Sequence, residues 1–499
     1  MNYKRTAIAI SVALICTSSV TATDAANRYL VVFKADVLPE DADAHIVRAG
    51  GKTERAVPEI GTLVASGDLA FVDIMAKDSA VLAVGTERML VLPPLLVQPV
   101  SDADIDPADE AATELDVAES APTAVDNLYF NQWDMRRIGA PAVWSRFPLA
   151  GGPPTVAVLD TGVADNHPDL NGNVVLKIAT SYCNTPGGPG NRSVSYPKYS
   201  SYVDLVRHPD WTPADGCTSL GGFFTHDFHG THVAGTIAAK FGGGRVVGVA
   251  PAAAIAAYKV FDLVRQTDPH TGLAVFGLGA FDGPLFSAIV DAANRGIPVI
   301  SMSLGGLILK SDKDGNAEWH AWDRIAKYAN RVGTLIVASA GNDAVNLNGP
   351  VAHIPSDLPT VISTSATAWS GLQQIGGSKA PYEPAPGSHD LLAFYSNFGA
   401  AVDISAPGGD CGPVTAPDCL IQYLILSTAI TAGGGLTYAF ATGTSMATPH
   451  VSAVAAMVRA LHPDWNPGQV RAYLISTAED IGPRQQFGHG IVDADKAVR

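Results

Sequence analysis

The chain has 499 residues, 47% of them hydrophobic and 16% charged, with a formal net charge of −16. Such a length and apolar content allow a large core or several domains and exclude wholesale disorder. An acidic balance with no basic run excludes nucleic acid as a partner, because neutralising phosphates needs clustered Lys and Arg.

Lys4 and Arg5 precede an apolar stretch from Ala7 to Ile15, and Val20-Thr21-Ala22 follows as a cleavage site. This pattern predicts a secretory signal peptide over residues 1–22, hence a secreted, extracellular protein. An uncleaved anchor is the competing reading, but the stretch is short for a bilayer. Cys16 would suggest a lipoprotein signal, and the bulky Ile15 before it speaks against one. With the signal removed no membrane anchor is expected. The remaining cysteines are Cys183, Cys217, Cys411 and Cys419. An even count in an exported chain suggests two disulfides, and four cysteines permit three pairings. Cys411 and Cys419 flank a short Gly/Pro loop and are expected to pair, leaving Cys183 for Cys217. The Cys-x-x-Cys spacing of a zinc ribbon is absent.

From Asn27 the run RYLVVFKADV, an Ala/Asp-rich helical stretch, LAFVDIM and the apolar MLVLPPLLVQPV make a block ending near Val100. Its size suits a small α/β module over residues 27–100. Residues 101–126 hold nine Asp and Glu, from Asp102 to Asp126, and no Lys or Arg. Ala, Pro and Ser fill the gaps, so the segment reads as an exposed linker open to proteolysis.

Beyond it, from residue 127 to 499, short β-branched runs alternate with helical patterns. The strands are TVAVLD (155–160), AIAAYKV (254–260), IPVISMS (297–303), TLIVAS (334–339) and TVIST (360–364). Apolar strands separated by helices predict an α/β fold, a mainly parallel sheet covered on both faces, with a site at the strands' carboxyl ends.

Four motifs lie at such ends. Asp160 closes TVAVLD, where a plain turn or cap aspartate is the ordinary alternative. His229 opens HGTHVAG, in which small residues allow a helix to pack closely. His232, on another face, reads as a core residue, and the spacing is wrong for a His-Glu-x-x-His zinc site. Ser445 follows Gly443 at the start of SMATPHVSAVAAMVRALH, where helix N–H groups favour an oxyanion; a plain N-cap serine is the alternative. Asn342, in AGND after TLIVAS, is placed to donate into the same cleft or simply to turn the chain.

Taken together, VAVLDTGV, HGTHVAGTIAA, VGVAP, SMSLGG, ASAGND, APGG and GTSMATPHV resemble the subtilisin family of serine endopeptidases. The likeness runs from about Asn131 to FGHGIVDADKAV, and the order Asp…His…Ser is that of subtilisin. It implies a subtilisin-like three-layer sandwich and acyl-enzyme hydrolysis of peptide bonds, with a broad protein-degrading role. Asp160, His229 and Ser445 would form the triad, and Asn342 with the Ser445 N–H the oxyanion hole. Ser303-Leu304-Gly305 would pair with extended substrate, opposite the pocket wall Ser339-Ala340-Gly341. Aligning IPSDLP with the family puts His353 near the floor of that pocket, unless it turns into the core.

The resemblance also implies partners and maturation. Proteins and peptides would be substrates, and residues 27–100 would be an inhibitory propeptide that aids folding. The enzyme would cut itself between about Val100 and Asn127 and act as a monomer. No cofactor is needed for the chemistry. Calcium is left open: the loop Lys240–Val246 matches a calcium-binding loop in length and Asp169 is kept, but Gly242 replaces an asparagine ligand. Asp204, Asp210 and Asp215 in the loop Cys183–Phe228 offer another location, but solvated loop charge is the preferred reading of them. Two rival readings are an inactive homologue used for binding and an anchored processing enzyme with one substrate.

Overall fold

The computed structural model describes residues 27–92, 97–100, 122, 126–146, 153–181, 227–267, 274–374, 382–414, 419–431 and 434–499. The signal segment, Cys183, Cys217, Asp204, Asp210, Asp215 and nearly all of the acidic segment lie outside the described residues.

The N-terminal module strings together β1 (Asn27–Phe33), α1 (Ala42–Arg48), β2 (Lys52–Val57), β3 (Thr62–Gly67), α2 (Leu69–Met75) and β4 (Val81–Thr86). Its strands form an antiparallel sheet in the order β2-β3-β1-β4. LAFVDIM is the helix α2, started by Asp68, whose carboxylate accepts the Phe71 N–H at 2.9 Å. Alternation along β1 divides its side chains between two cores. Tyr29, Val31 and Phe33 pack with Ile46, Phe71 and Met75, whereas Leu30 and Val32 join Ile325 and Trp322 of the large domain.

The apolar run MLVLPPLLVQPV does not complete the module's sheet. Its first part, β5 (Met89–Val91), and its last, β6 (Val97–Pro99), each join a sheet of the large domain.

That domain continues through α3 (Trp133–Arg137), β7 (Thr155–Asp160), β8 (Val174–Ala179), α4 (His229–Ala238), β9 (Ala254–Lys259), β10 (Phe261–Thr267), β11 (Ala274–Phe281) and α5 (Asp282–Asn294). Then come β12 (Val299–Met302), α6 (Lys313–Arg331), β13 (Leu335–Ser339), β14 (Val351–Ile354), β15 (Val361–Trp369), β16 (Ile404–Pro407), β17 (Ile425–Ile430), β18 (Leu436–Ala441) and α7 (Thr444–Leu461). The central ladder runs β15-β13-β12-β7-β9-β8, every step parallel, with β16 also parallel to β15 and Asp390–Leu392 antiparallel to its end. This is the expected α/β sheet. Val156 and Val158 of β7 face α4 and α7 through Val233, Ile237, Val451 and Val454. Ala157 and Leu159 face α5 and α6 through Leu285, Phe286, Ile289, Trp322 and Ile325. Three layers result.

Cys411 and Cys419 form a disulfide, as their short loop predicts. No helix among the described residues is long and apolar enough to cross a membrane.

Candidate active site

Asp160 ends β7 and His229 begins α4, so the parallel sheet delivers both to one edge. His229 Nδ1 lies 2.7 and 2.9 Å from the two Asp160 carboxylate oxygens, and neither residue is exposed to solvent. Burial pulls the imidazole's pKa down; the charges of Asp160 and Asp227 outweigh it and hold it above the ordinary histidine value. A carboxylate at Nδ1 fixes the proton there, which leaves the Nε2 lone pair free in the neutral ring. Nε2 is buried, with no hydrogen-bond partner among the described residues. The close approach needs Gly230, where a Cβ would sit 2.2 Å from the Gly162 carbonyl oxygen.

Ser445 is the second residue of α7, after Gly443 at φ +152°. It does not cap the helix, since the N-cap is Gly443 and no side-chain cap bond is made. Pro449 has no N–H for the Ser445 carbonyl four residues back. Ser303 Oγ donates to that carbonyl at 2.8 Å instead, and Ser445 Oγ donates to the Ser303 carbonyl at 3.2 Å. This exchange ties the start of α7 to the strand-end segment Ser303-Leu304-Gly305. The sequence signal for it was the proline inside the helix.

Asn342 Oδ1 accepts from the Thr444 N–H at 2.9 Å and from the Thr444 hydroxyl at 2.8 Å. The carboxamide orientation is therefore set, because a backbone N–H requires the oxygen, and its NH₂ turns away from the helix. Gly341, at φ +100°, donates to Thr444 Oγ1 at 3.2 Å. Asn397, which sequence reasoning missed, braces this turn by donating to the Ala340 carbonyl at 2.9 Å. His232 is the core residue expected, its Nε2 3.1 Å from the Ile425 and Ala439 carbonyl oxygens and its pKa lowered to about 3 by burial.

Ser339 and Leu304 face each other, with Ser339 Oγ 3.4 Å from the Leu304 carbonyl oxygen. His353, on β14, fills the gap between the two walls. A Cβ on Gly305 would lie 2.2 Å from its Cε1, and one on Gly341 2.7 Å from its Nε2. Its Nδ1 is 2.9 Å from Ser356 Oγ, and burial lowers its pKa to about 3, so it is neutral bulk. His353→Gly should extend the pocket and raise kcat/KM for Phe or Tyr by about tenfold or more relative to small residues. An unchanged profile in peptide-library cleavage would remove His353 from the pocket.

The chain's own N-terminal part adds strands to two sheets of the large domain. β5 pairs antiparallel with β11, Met89 opposite Phe281 and Leu90 opposite Ala280, and the Leu92 N–H donates to the Leu278 carbonyl at 3.1 Å. A Cβ on Gly306 would lie 3.1 Å from Leu90 Cδ2, so the Leu90 side chain packs close to Gly306. β6 pairs antiparallel with β18, which leads directly into Ser445.

At the loop Lys240–Val246, Asp169 is fully buried and its Oδ1 has no partner among the described residues. Its Oδ2 accepts the Arg245 N–H at 3.3 Å, and the Gly242 N–H donates to Asp126. One free buried carboxylate oxygen suits a hard cation, but Gly242 supplies no side-chain ligand. Among the described residues no cluster of three or more His, Cys, Asp or Glu is arranged to hold a metal. Burial, with Asp126 nearby, raises the Asp169 pKa to about 7. A carboxyl group raised when folded favours the folded state at low pH, and that support is lost as pH climbs from about 4 to about 7. In chelator, Tm should therefore fall over this window, by a few kcal/mol at most in stability at about 1.4 per unit. The slope should flatten in Asp169→Asn; an equal slope there would place its origin elsewhere.

Residues 151–490 match the model of the subtilase family, Peptidase S8. The alkaline elastase YaB of Bacillus sp. (strain YaB) is 30% identical over 404 residues, which cover 80% of each chain. An extracellular protease of Xanthomonas campestris pv. campestris is 29% identical over 85% of this chain and 67% of its own. Among solved structures, fervidolysin from Fervidobacterium pennivorans, described as a keratinolytic enzyme related to subtilisin, superposes with a TM-score of 0.61 at 25% identity. That match covers 96% of this chain and 62% of that one.

Proposed function

The chain belongs to the subtilase family of serine endopeptidases, and on that premise we propose that it hydrolyses peptide bonds with Asp160, His229 and Ser445 as its triad. The observation that carries the reading is the buried His229 Nδ1–Asp160 pair, whose Nε2 has no hydrogen-bond partner among the described residues. In this reading the Ser445 hydroxyl leaves the Ser303 carbonyl, to which it donates in the resting site, and gives its proton to Nε2 as Oγ attacks the scissile carbonyl. Asp160 holds the imidazolium that forms. The carbonyl oxygen becomes an oxyanion bound by the Asn342 NH₂ and the Ser445 N–H. His229 then returns the proton to the leaving amine, and water repeats the cycle on the acyl-enzyme. A fluorophosphonate probe tests this directly. The mature enzyme should be labelled at Ser445, and an unlabelled mature chain would leave a binding homologue instead.

The signal segment and the extracellular relative support secretion. Residues 27–100 would act as the chain's own inhibitor, a role supported by β5 and β6 adding antiparallel to β11 and β18, as an extended substrate would by strand addition. Both sides of the acidic segment are tied to the large domain, by Val100 N–H to the Tyr438 carbonyl and Leu128 N–H to the Arg245 carbonyl. A self-made cut between them leaves β5 and β6 in place, so cutting and release are separate steps. Intact-mass measurement should find Ser445→Ala as a precursor lacking only its signal, and wild type beginning within 101–126. Trimming of Ser445→Ala at the same point in a protease-free host would disprove self-processing.

A further inference from the structure

A second buried histidine–carboxylate pair adjoins the turn that carries Ser445. His450, further along α7, and Asp134, on α3, are both fully buried, with His450 Nε2 2.9 Å from Asp134 Oδ2. The other ring nitrogen, Nδ1, lies 2.9 Å from the Met446 carbonyl oxygen. A carbonyl only accepts, so Nδ1 carries a hydrogen and donates it. Both nitrogens are therefore engaged, and His450 has none left to move a proton for a substrate. Any effect on the reaction passes through what it holds, the peptide unit next to Ser445.

That turn is where the helix ladder fastens least. Pro449 has no N–H for the Ser445 carbonyl, and its ring crowds that same carbonyl. Side chains take over. Thr448 Oγ1 donates to the Thr444 carbonyl at 2.8 Å, Ser303 Oγ to the Ser445 carbonyl at 2.8 Å, and His450 Nδ1 to the Met446 carbonyl. Thr448 acts within the helix, whereas the tilt of the His450 ring is set from another element by Asp134. α3 is itself pinned, by the Trp133 indole N–H to the Leu424 carbonyl at 3.2 Å and by Arg137 to Asp390 at 2.7 Å. Trp133 also shares an apolar cluster with Met446. Two adjacent α3 residues thus bear on the nucleophile turn, one by packing and one through His450. A buried pair of this kind contributes little net stability beyond what apolar residues of equal volume would give. What it supplies, and they cannot, is a fixed ring orientation.

We propose that Asp134 is a positioning residue for the nucleophile: it holds the His450 ring so that the first turn of α7 presents Ser445 Oγ and the Ser445 N–H in one place. This rests on the reading of Ser445 as the nucleophile. α3 follows the acidic segment, so a cut within 101–126 leaves Asp134 on the mature chain. A displacement of about 1 Å at a reacting group costs up to about 10²-fold in rate. The loss belongs in attack and not in substrate binding, because neither Asp134 nor His450 has a free group facing a substrate.

The test compares two variants of the mature enzyme with wild type. Asp134→Leu keeps the volume and offers Nε2 nothing. Asp134→Asn can still donate to Nε2, while the neutral ring keeps its hydrogen on Nδ1 for the Met446 carbonyl. Active sites are counted by end-point fluorophosphonate labelling of Ser445, and kcat is read per counted site well below the Tm of each variant. Misfolded molecules then drop out of the comparison. In Asp134→Leu, kcat and the rate of labelling should each fall by about tenfold to 10²-fold, with KM within about twofold of wild type. Asp134→Asn should recover kcat to within about threefold. If Asp134→Leu yields no countable sites, Asp134→Ala takes its place with the same expectation. Wild-type kcat in the apolar variant, a loss confined to KM, or Asp134→Asn as slow as Asp134→Leu overturns the proposal. Wild type that fails to label at Ser445 would instead strike the nucleophile reading itself, whereas equal labelling rates in wild type and Asp134→Leu strike Asp134 alone.

Discussion

Ser445→Ala and His229→Ala should each lower kcat by about 10⁶-fold, the scale found in subtilisin for the corresponding changes, while leaving the fold intact. The physical ground is that these two groups act as one unit. Without the serine there is no acyl-enzyme, and without the imidazole the hydroxyl keeps its proton and stays a poor nucleophile. Removing both should cost little more than removing either, which distinguishes a coupled pair from two independent contributors. Ser445→Ala loses one hydroxyl and with it a single hydrogen bond, to the Ser303 carbonyl, while the Ser303 bond to the Ser445 carbonyl survives. Its Tm should therefore shift by only a few degrees. His229→Ala leaves Asp160 buried beside an empty space, so its stability should fall further. Near-normal turnover in either variant would end the triad assignment.

Much of this site was readable because its residues stand at places where chain geometry leaves few options. Asp160 closes the apolar run Val156–Leu159, which had to be a buried strand, and His229 and Ser445 open helices marked by small residues and by Gly443. The parallel sheet then brings strand ends and helix starts to one edge without further instruction. Less visible were contacts between distant segments. Nothing in the spacing of Ser303 and Ser445 announced their reciprocal bonds, although Pro449 left a carbonyl that needed a donor. MLVLPPLLVQPV read only as the apolar run that closes the block near Val100, because apolar residues show burial and not the partner. The structure gives its two ends to β11 and β18. Glu87 of the module reaches the start of α5, donor Gly283, only because the module packs on that helix, a contact no local pattern announces.

Asn342→Ala should lower kcat by about 10²–10³-fold with little change in KM, the loss measured when subtilisin is deprived of its oxyanion-hole amide. The split matters because the ground-state carbonyl needs this donor far less than the charged intermediate does, so the loss appears in turnover. The structure supplies a reason for selectivity: Asn342 Oδ1 is held by both the backbone and hydroxyl of Thr444, which fixes the side chain before substrate arrives. Preorganisation of this kind predicts a second result. Thr444→Val removes the hydroxyl, and with it one bond to Oδ1 and the acceptor for the Gly341 N–H. Asn342 would keep its bond to the Thr444 N–H yet gain freedom, so kcat should fall by a smaller factor, about tenfold. In the Asn342→Ala background Thr444→Val should add almost nothing, because the group it orients is already gone. If the two losses instead multiply, Thr444 acts by another route; if Asn342→Ala raises KM and spares kcat, Asn342 binds substrate and not the oxyanion.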